Sequence, residues 1–474
     1  MARRSFDPVR LSSIAEVPGV VVDTDLRVTG ASDDSRTIEQ GDLFFCIRGS
    51  RFDGHDAAPD AVTRGAVAVV VDHVLDLPAA IVQVVVPDVR AVVGTMVSRA
   101  LGDPSTGLTM VGVTGTNGKT STVSFVGSLL RALGHETVTI GTLTGVRTTP
   151  EAIELQGQLA DAVRDGATHV VMEVSSHALV MGRVSGITFD VSVFSNLSRD
   201  HLDFHGSMEE YFAAKCRLFE PAVSRASVVN VDDEWGRRLA SSLSIPVSPC
   251  STSTLTDVRV EVGRVGYTWR GHDVSIGAGG LFAVLNSLLA LEVAVALGCA
   301  VGDVAAAAAS IGPVDGRFEM VPTDSDYSVI VDYAHTPDAL RTVLGSVRSL
   351  AAGRVIVVFG CGGDRDRGKR TEMGRAVDEL ADVAFVTSDN PRSEDPESII
   401  RDVLDGMSGT TCEVVSIVDR AVAIESAISA AGSADIVVIA GKGHEPYQEV
   451  AGEFLAFSDV GVARIAVARR SGSR

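Results

Sequence analysis

The chain is short of positive charge. Its 41 basic side chains stand against 61 acidic ones, leaving a net charge of −20 over 474 residues. That balance argues against nucleic acid or an anionic membrane surface as a partner. It leaves room for small anions, because a local nest of backbone N–H groups can overcome the global field. Cysteine is scarce as well: the six, at 46, 216, 250, 299, 361 and 412, include no CxxC pair. Buried reduced thiols fit this better than zinc or disulfides. There is no low-complexity tract and no repeat with a period of roughly 20–50 residues.

Long apolar runs are nearly absent too. The greasiest stretch, "LFAVLNSLLALEVAVALGCAVG" at 281–302, is interrupted by Asn286 and Glu292 and has no basic flank after it. It reads as a core helix, not a membrane span. "MARRSFDPVRL" carries arginines with no apolar segment behind them, so no signal peptide is expected and the protein reads as cytoplasmic.

What is present is ordinary globular protein, 45% hydrophobic and 22% charged. The length suggests about three domains. Residues 1–103 mix short strands and turns, with "GAVAVVVD" and "AIVQVVVPD" as the clearest buried strands, and "GDPSTG" at 102–107 reads as a linker. From Leu108 strands and helices alternate: "TMVGVTG", then an amphipathic helix "KTSTVSFVGSLLRALG", then strands "THVVMEVS", "FDVSVFSNL" and "ASVVNVD". After "GPVDGRF" the alternation restarts with "YSVIVDYA", "RVIVVFG", "DVAFVTS", "EVVSIVD" and "ADIVVIAG". Continuous apolar strands between helices imply parallel sheets covered on both faces. The expected fold is α/β in three domains: 1–103, a central P-loop ATPase-like parallel-sheet domain at 104–313, and a Rossmann-like domain at 314–474.

"MVGVTGTNGKTST" carries the strongest chemistry. A strand ends, glycines 112, 115 and 118 follow, and Lys119-Thr120 open a helix. Glycines let the backbone curl so that its N–H groups meet phosphate oxygens. Lys119 would reach the β/γ-phosphates and Thr120 would hold Mg²⁺. The spacing departs from GxxxxGK[ST], since position 113 is valine and the first glycine sits one residue earlier. A plain strand-to-helix turn explains the glycines but not the Lys-Thr pair. Glu173 ends a buried strand, a costly place for a carboxylate without a counter-charge. "SMEEYFAAKCRLF" should be helical, and a lysine such as Lys215 ordinarily sits on a solvated face there. A lone His201 would ordinarily be structural, because Mg²⁺ prefers oxygen. In "TSDNPRSEDP" at 387–396, Asn390-Pro391 starts a turn, and Ser393, Asp395 and Pro396 begin the next helix.

"GTNGKTST" resembles the ATP loop of the Mur ligase superfamily, which also holds the folylpolyglutamate synthetases. Such enzymes phosphorylate a carboxylate with ATP, forming ADP, so that an amine can displace the phosphate. The resemblance implies nucleotide contacts by Gly115, Thr116, Asn117, Gly118, Lys119, Thr120 and Ser121. It adds Asn286 as an adenine contact, with Arg317 and Asp332 as the hinge arginine and the aspartate near the nucleotide; His335 stays unassigned. Lys119, Glu173, His201 and Lys215 become the catalytic set. Thr120, Glu173, His201 and Lys215 become the metal set for two Mg²⁺, with Lys215 carbamylated by CO₂.

The resemblance covers all three segments, and its details imply a member that adds the third residue to UDP-N-acetylmuramoyl dipeptide. "DDSRTIEQGDLFFCIRG", with Ser35 and Arg36, resembles the uridine-nucleotide domain of that member. Thr148, Thr149, Ser175 and Arg183 match contacts to the sugar-peptide nucleotide. Met181 departs from relatives that carry glutamine, and "GSRFDGH" departs in the loop that meets uracil. "FGCGGDRDRGKR", "SDNPR" and "AGKGHE" each end a strand and can converge on one cleft. Arg365, Asp389, Asn390, Pro391, Arg392, Gly441 and Glu445 are the implied pocket for meso-diaminopimelate, with arginine reading its distal carboxylate. Lysine should be rejected, because it leaves arginine donors without a partner. A monomer is expected, with hinge bending near 312–317. The alternatives are the same ligase class using L-lysine or L-ornithine, a folylpolyglutamate synthetase-like ligase, and a catalytically dead nucleotide-binding or scaffold protein.

Overall fold

The computed structural model describes residues 3–16, 22, 24–49, 52–408 and 411–472. The chain divides into two compact units, Met1–Cys250 with Glu292–Cys299, and Ser251–Leu291 with Ala300–Arg474.

The first unit holds two α/β sheets. One has the strand order Arg4–Arg10, Arg27–Ser32, Asp42–Phe45, Ala68–Val71, Val82–Val85. Its first pair is antiparallel and the rest parallel. Asp42–Phe45 and Ala68–Val71 are buried along their whole length, as apolar strands in a sheet covered on both faces must be; the one charged member, Asp42, is paired with Arg3 at 2.6 Å. Both "GAVAVVVD" and "AIVQVVVPD" supply strands here. The "GDPSTG" segment is a packed turn: Pro104 and Ser105 are buried, and Asp103 takes φ 53°.

The second sheet is parallel throughout, in the order Val247–Cys250, Ser224–Asn230, Phe189–Phe194, Thr109–Thr114, His169–Glu173, Thr137–Ile140. Its core draws Met110, Leu155, Leu159, Val170, Met172, Phe189, Phe194 and Phe219 from strands and helices alike. Each such side chain, fully buried, contributes about 1.5–3 kcal/mol. Thr109–Thr114 runs near the middle of this sheet, so its carboxyl end delivers the phosphate loop from a rigid base.

The second unit carries a sheet in the order Glu319–Val321, Ser328–Asp332, Ile436–Ala440, Val355–Phe359, Val383–Val386, Glu413–Ser416. Only the Glu319–Val321 edge is antiparallel. The strand order reverses between neighbours, which creates crevices at the carboxyl ends where doubly wound sheets bind ligands. A three-stranded antiparallel sheet, Thr256–Val260, Val265–Trp269 and His272–Ile276, has no counterpart in the sequence reading. A hairpin, Tyr447–Val450 with Glu453–Ala456, is likewise unanticipated. The apolar stretch at 281–302 forms the helix Leu281–Ala296, and no described helix is long and apolar enough to cross a membrane.

Candidate active site

The phosphate loop is shaped by its glycines. Gly115 has φ 152° and Gly118 φ 86°, and a Cβ on Gly115 would meet Ser195 Oγ at 1.9 Å. Segment 195–198 braces the loop from beneath. Asn196 accepts from Asn117 N–H through Oδ1 (2.9 Å) and donates through Nδ2 to Asn117 O (3.0 Å). Its carbonyl accepts from Thr116 N–H at 2.9 Å. Two loop N–H groups expected at a phosphate therefore face inward. Helix Lys119–Ala132 starts directly after them, with Gly118 at its N-cap giving no side-chain cap bond, and a helix start of this kind is suited to an anion. Lys119 Nζ folds back on the carbonyls of Gly115 (2.9 Å) and Thr116 (2.8 Å). Ser121 is buried one step along the helix.

Thr120 and Glu173 come together as expected. Glu173 is 1% exposed, accepts from Thr120 Oγ1 at 3.1 Å and from Thr142 N–H at 2.8 Å, and joins no ion pair among the described residues. A buried carboxylate with a hydroxyl beside it and no cation is a donor set that fits Mg²⁺.

Lys215 does not take the solvated face usual for a helical lysine. Helix Met208–Cys216, capped by Ser207, turns it inward until it is 1% exposed. Its Nζ donates to Gly115 O at 2.8 Å and lies 4.5 Å from the centroid of the Tyr211 ring. Burial, reinforced by Lys119 and opposed by Asp200, holds its pKa well below the ordinary lysine value. His201 takes φ 53° at the start of helix Leu202–His205, edge-on to His177. Its side chain is 48% exposed, and partial desolvation, opposed by Asp200, lowers its pKa.

The residues matched to the sugar-peptide nucleotide also converge. Thr149 Oγ1 donates to Glu173 O (2.9 Å) and accepts from Ser175 N–H (3.0 Å). Arg183 donates to Thr149 O (3.1 Å) and pairs with Glu151 (2.8 Å). Thr148 Oγ1 is 3.1 Å from Thr142 Oγ1. Met181 offers its sulfur to Arg183 at 3.7 Å in place of a polar contact. Ser35 sits half-buried in the 3-10 turn Ser35–Thr37, while Arg36 is exposed and paired with Asp34 at 2.7 Å. Of the "GSRFDGH" loop, Ser50 and Arg51 lie outside the described residues.

In the second unit, Arg317 lies over the Tyr333 ring at 4.2 Å, with Asp332 as an electrostatic neighbour. Asp332 accepts from Phe318 N–H (2.7 Å) and Ala334 N–H (2.8 Å), and its burial raises its pKa against those bonds. Asn286 is buried on Leu281–Ala296. His335 Nδ1 bonds Tyr333 O at 2.9 Å.

The strand ends at 386 and 440 bring the third group together. Asn390 Nδ2 donates to Glu445 Oε2 at 3.0 Å. Asp389 is buried with Oδ2 unpartnered, and a Cβ on Gly441 (φ 119°) would lie 2.7 Å from that oxygen. Pro391 is buried between them and Arg392. Arg392 differs from the expected free fork: Nε donates to Glu449 Oε2 at 3.0 Å and Nη1 to Gly363 O at 2.6 Å. Only Nη2 is left without a described partner. Arg365 is exposed, with its stem beside Gly362, as is Arg392 Nη1. Asp395 does cap helix Pro396–Leu404, but Ser393 instead donates to Asp364 at 2.8 Å.

The sequence reading passed over Glu151, Asn196, Lys442 and Glu449. For Lys442 a signal existed: the chain has only four lysines among its 41 basic residues, at 119, 215, 369 and 442. For Glu449, on an edge hairpin, none did.

Three family descriptions match: "Mur ligase family, catalytic domain" over 27–104, "Mur ligase middle domain" over 113–294, and "Mur ligase, glutamate ligase domain" over 316–443. A Xylella fastidiosa protein named UDP-N-acetylmuramoyl-L-alanyl-D-glutamate–2,6-diaminopimelate ligase is 43% identical, with 96% of this chain and 97% of that one aligned. A Solibacter usitatus protein of the same name is 44% identical, over 92% and 93%. A solved structure of a ligase with that name superposes at TM-score 0.71 with 32% identity, covering 98% of this chain and all of the other. A Mycobacterium tuberculosis folylpolyglutamate synthase complexed with ADP shares the fold at TM-score 0.61 with 17% identity, over 80% and 94%. With the phosphate loop, the buried Glu173 and Lys215, and full-length likeness at this identity all in one molecule, the chain belongs to the Mur ligase family.

Proposed function

We propose that this protein is the ATP-dependent, ADP-forming ligase that joins meso-diaminopimelate to UDP-N-acetylmuramoyl-L-alanyl-D-glutamate in peptidoglycan synthesis. The terminal D-glutamate carboxylate takes the γ-phosphoryl group of ATP, releasing ADP. The amine at the L-centre of diaminopimelate then attacks the acyl carbon, loses a proton and expels phosphate.

Lys119 and the start of its helix hold the triphosphate. Asn286, Arg317 and Asp332 serve the nucleotide as well. Thr120, Glu173, His201 and a carbamylated Lys215 would hold Mg²⁺, which would supply positive charge to offset that of the phosphates. The buried, readily deprotonated Lys215 supports carbamylation: a neutral amine adds CO₂ and loses a proton, turning a group that repels metal into one that binds it. Ser35, Thr148, Thr149, Ser175 and Arg183 take the UDP-linked dipeptide. Arg365, Asp389, Asn390, Pro391, Arg392, Gly441 and Glu445 take the amino acid. Segments 1–103, 104–313 and 314–474 are the corresponding domains of a monomer.

The observation that carries the amino acid is that the single loop after strand Val383–Val386 holds both an unpartnered buried Asp389 oxygen and, three residues on, the Arg392 guanidinium. One suits an ammonium and the other a carboxylate, and diaminopimelate brings both at its distal centre. The test is ADP release by purified protein with ATP, Mg²⁺ and the UDP-linked dipeptide, comparing meso-diaminopimelate, L-lysine and L-ornithine. Release only with diaminopimelate is expected; release on lysine or ornithine alone overturns the choice.

A further inference from the structure

Lys442 stands apart from the chain's other lysines. Its side chain is wholly buried, and its Nζ donates to Asn390 Oδ1 at 2.9 Å and Glu445 Oε2 at 3.0 Å. The chain uses arginine for nearly all its positive charge. A compact ammonium suits this position, because two acceptors must be met at one buried point.

The bonds fix the shape of the pocket. Asn390 Oδ1 also accepts from Glu449 N–H at 2.9 Å, while Nδ2 donates to Glu445 Oε2 at 3.0 Å. A flipped amide would set its NH₂ against the ammonium and the Glu449 N–H, so one orientation is selected. Both donors to Glu445 land on Oε2, and Oε1 takes no bond from any described residue. Glu445 is thus held with one oxygen committed and the other free for a ligand. Electrostatics adds a second effect. A buried cation in contact with pocket groups disfavours a ligand of net charge +1 and tolerates one of net charge zero. L-Lysine is the first kind and diaminopimelate, with paired ammonium and carboxylate groups, the second.

We infer that Lys442 is a positioning and specificity-determining residue of the amino-acid pocket. It does not touch the amino acid; it locks Asn390 and Glu445, and its charge biases the pocket against lysine. The inference rests on the diaminopimelate reading above.

The test is K442M, which keeps the bulk and removes the charge, assayed by ADP release with diaminopimelate or L-lysine varied and wild type alongside. The KM for diaminopimelate should rise about tenfold, while kcat and the KM values for ATP and the UDP-linked dipeptide stay within about twofold. The kcat/KM ratio of diaminopimelate to lysine should fall about tenfold. E445Q and the double variant K442M/E445Q form the second arm, since the double variant buries no unpaired carboxylate and does not depend on K442M folding. If Lys442 acts through Glu445, the double variant matches E445Q in KM for diaminopimelate within about twofold. Wild-type preference for diaminopimelate with an unchanged K442M ratio overturns the inference alone. So does a uniform loss of kcat on both substrates, or a double variant about tenfold worse than E445Q. Wild-type turnover of lysine but not diaminopimelate overturns the substrate reading and this inference together.

Discussion

Thr120 Oγ1 donates to Glu173 Oε2 at 3.1 Å, joining the first turn of the phosphate-loop helix to the end of strand His169–Glu173. Parallel pairing of Thr109–Thr114 with His169–Glu173 sets this distance, because both strands deliver their last residues to the same edge. Gln at 173 keeps an oxygen for Thr120 but removes a buried negative charge that would attract a cation. E173Q should therefore weaken Mg²⁺ binding by about 10–100-fold and lower ADP release at saturating Mg²⁺. A titration of ADP release against Mg²⁺ checks this; an unchanged half-saturating concentration would exclude Glu173 from the metal site.

Lys215 links the same region to stability. Burial lowers its pKa in the folded protein below the ordinary value of 10.5. Between the folded and unfolded pKa values the unfolded chain binds one more proton, so stability rises with pH across that window, by up to about 1.4 kcal/mol per unit. It levels off above the unfolded value. Denaturant midpoints in CO₂-free buffer should climb from neutral pH toward the lysine range, and K215M should flatten that slope. For activity, K215A should lose turnover and regain part of it with a short-chain carboxylic acid. Full turnover by K215A without the acid would remove Lys215 from the metal set.

Strands and the loop chemistry were legible because continuous apolar runs and a glycine-rich turn before Lys-Thr are local patterns. All five strands expected after "GPVDGRF" are present. Lys215 is legible as helical, but its burial is not, because helix Met208–Cys216 has little amphipathic contrast and only tertiary packing decides which side goes in. The engagement of Arg392 by Glu449 was invisible because it joins residues 57 apart, through an edge hairpin with no strong strand signal. The three-stranded sheet at 256–276 was missed for a similar reason: its first strand is almost wholly exposed and lacks an apolar stripe.

Arg392 is anchored by Glu449 and Gly363 O, and its backbone sits at φ 53° with Arg392 N–H bonded to Glu449 O. The guanidinium is held in place before a ligand arrives, which limits the entropy lost on binding. R392A should raise the KM for diaminopimelate about 10–100-fold, the loss expected for hydrogen bonds to a carboxylate, and leave the KM for ATP within about twofold. Steady-state kinetics with each substrate varied in turn checks the split. Equal rises for ATP and diaminopimelate would mean that Arg392 supports the fold and not the pocket.

Gly316 and Gly443 pack backbone on backbone. A Cβ on Gly316 would lie 2.1 Å from His444 N and 2.4 Å from Gly443 C, and one on Gly443 would lie 2.6 Å from Gly316 O. Both have positive φ, 64° and 54°, so an alanine at either position would also be strained in its own conformation. The turn carrying Arg317 is thereby seated directly on the turn that carries Lys442 and Glu445. Since backbone cannot yield as a flexible side chain can, G316A must push residues 443–444 aside or unseat its own turn. It should destabilise the protein by about 1–3 kcal/mol and raise the KM for diaminopimelate. Thermal unfolding and the same kinetic assay report the two effects separately. A normal melting temperature with unaltered KM would show that the 441–445 turn keeps its place without this contact.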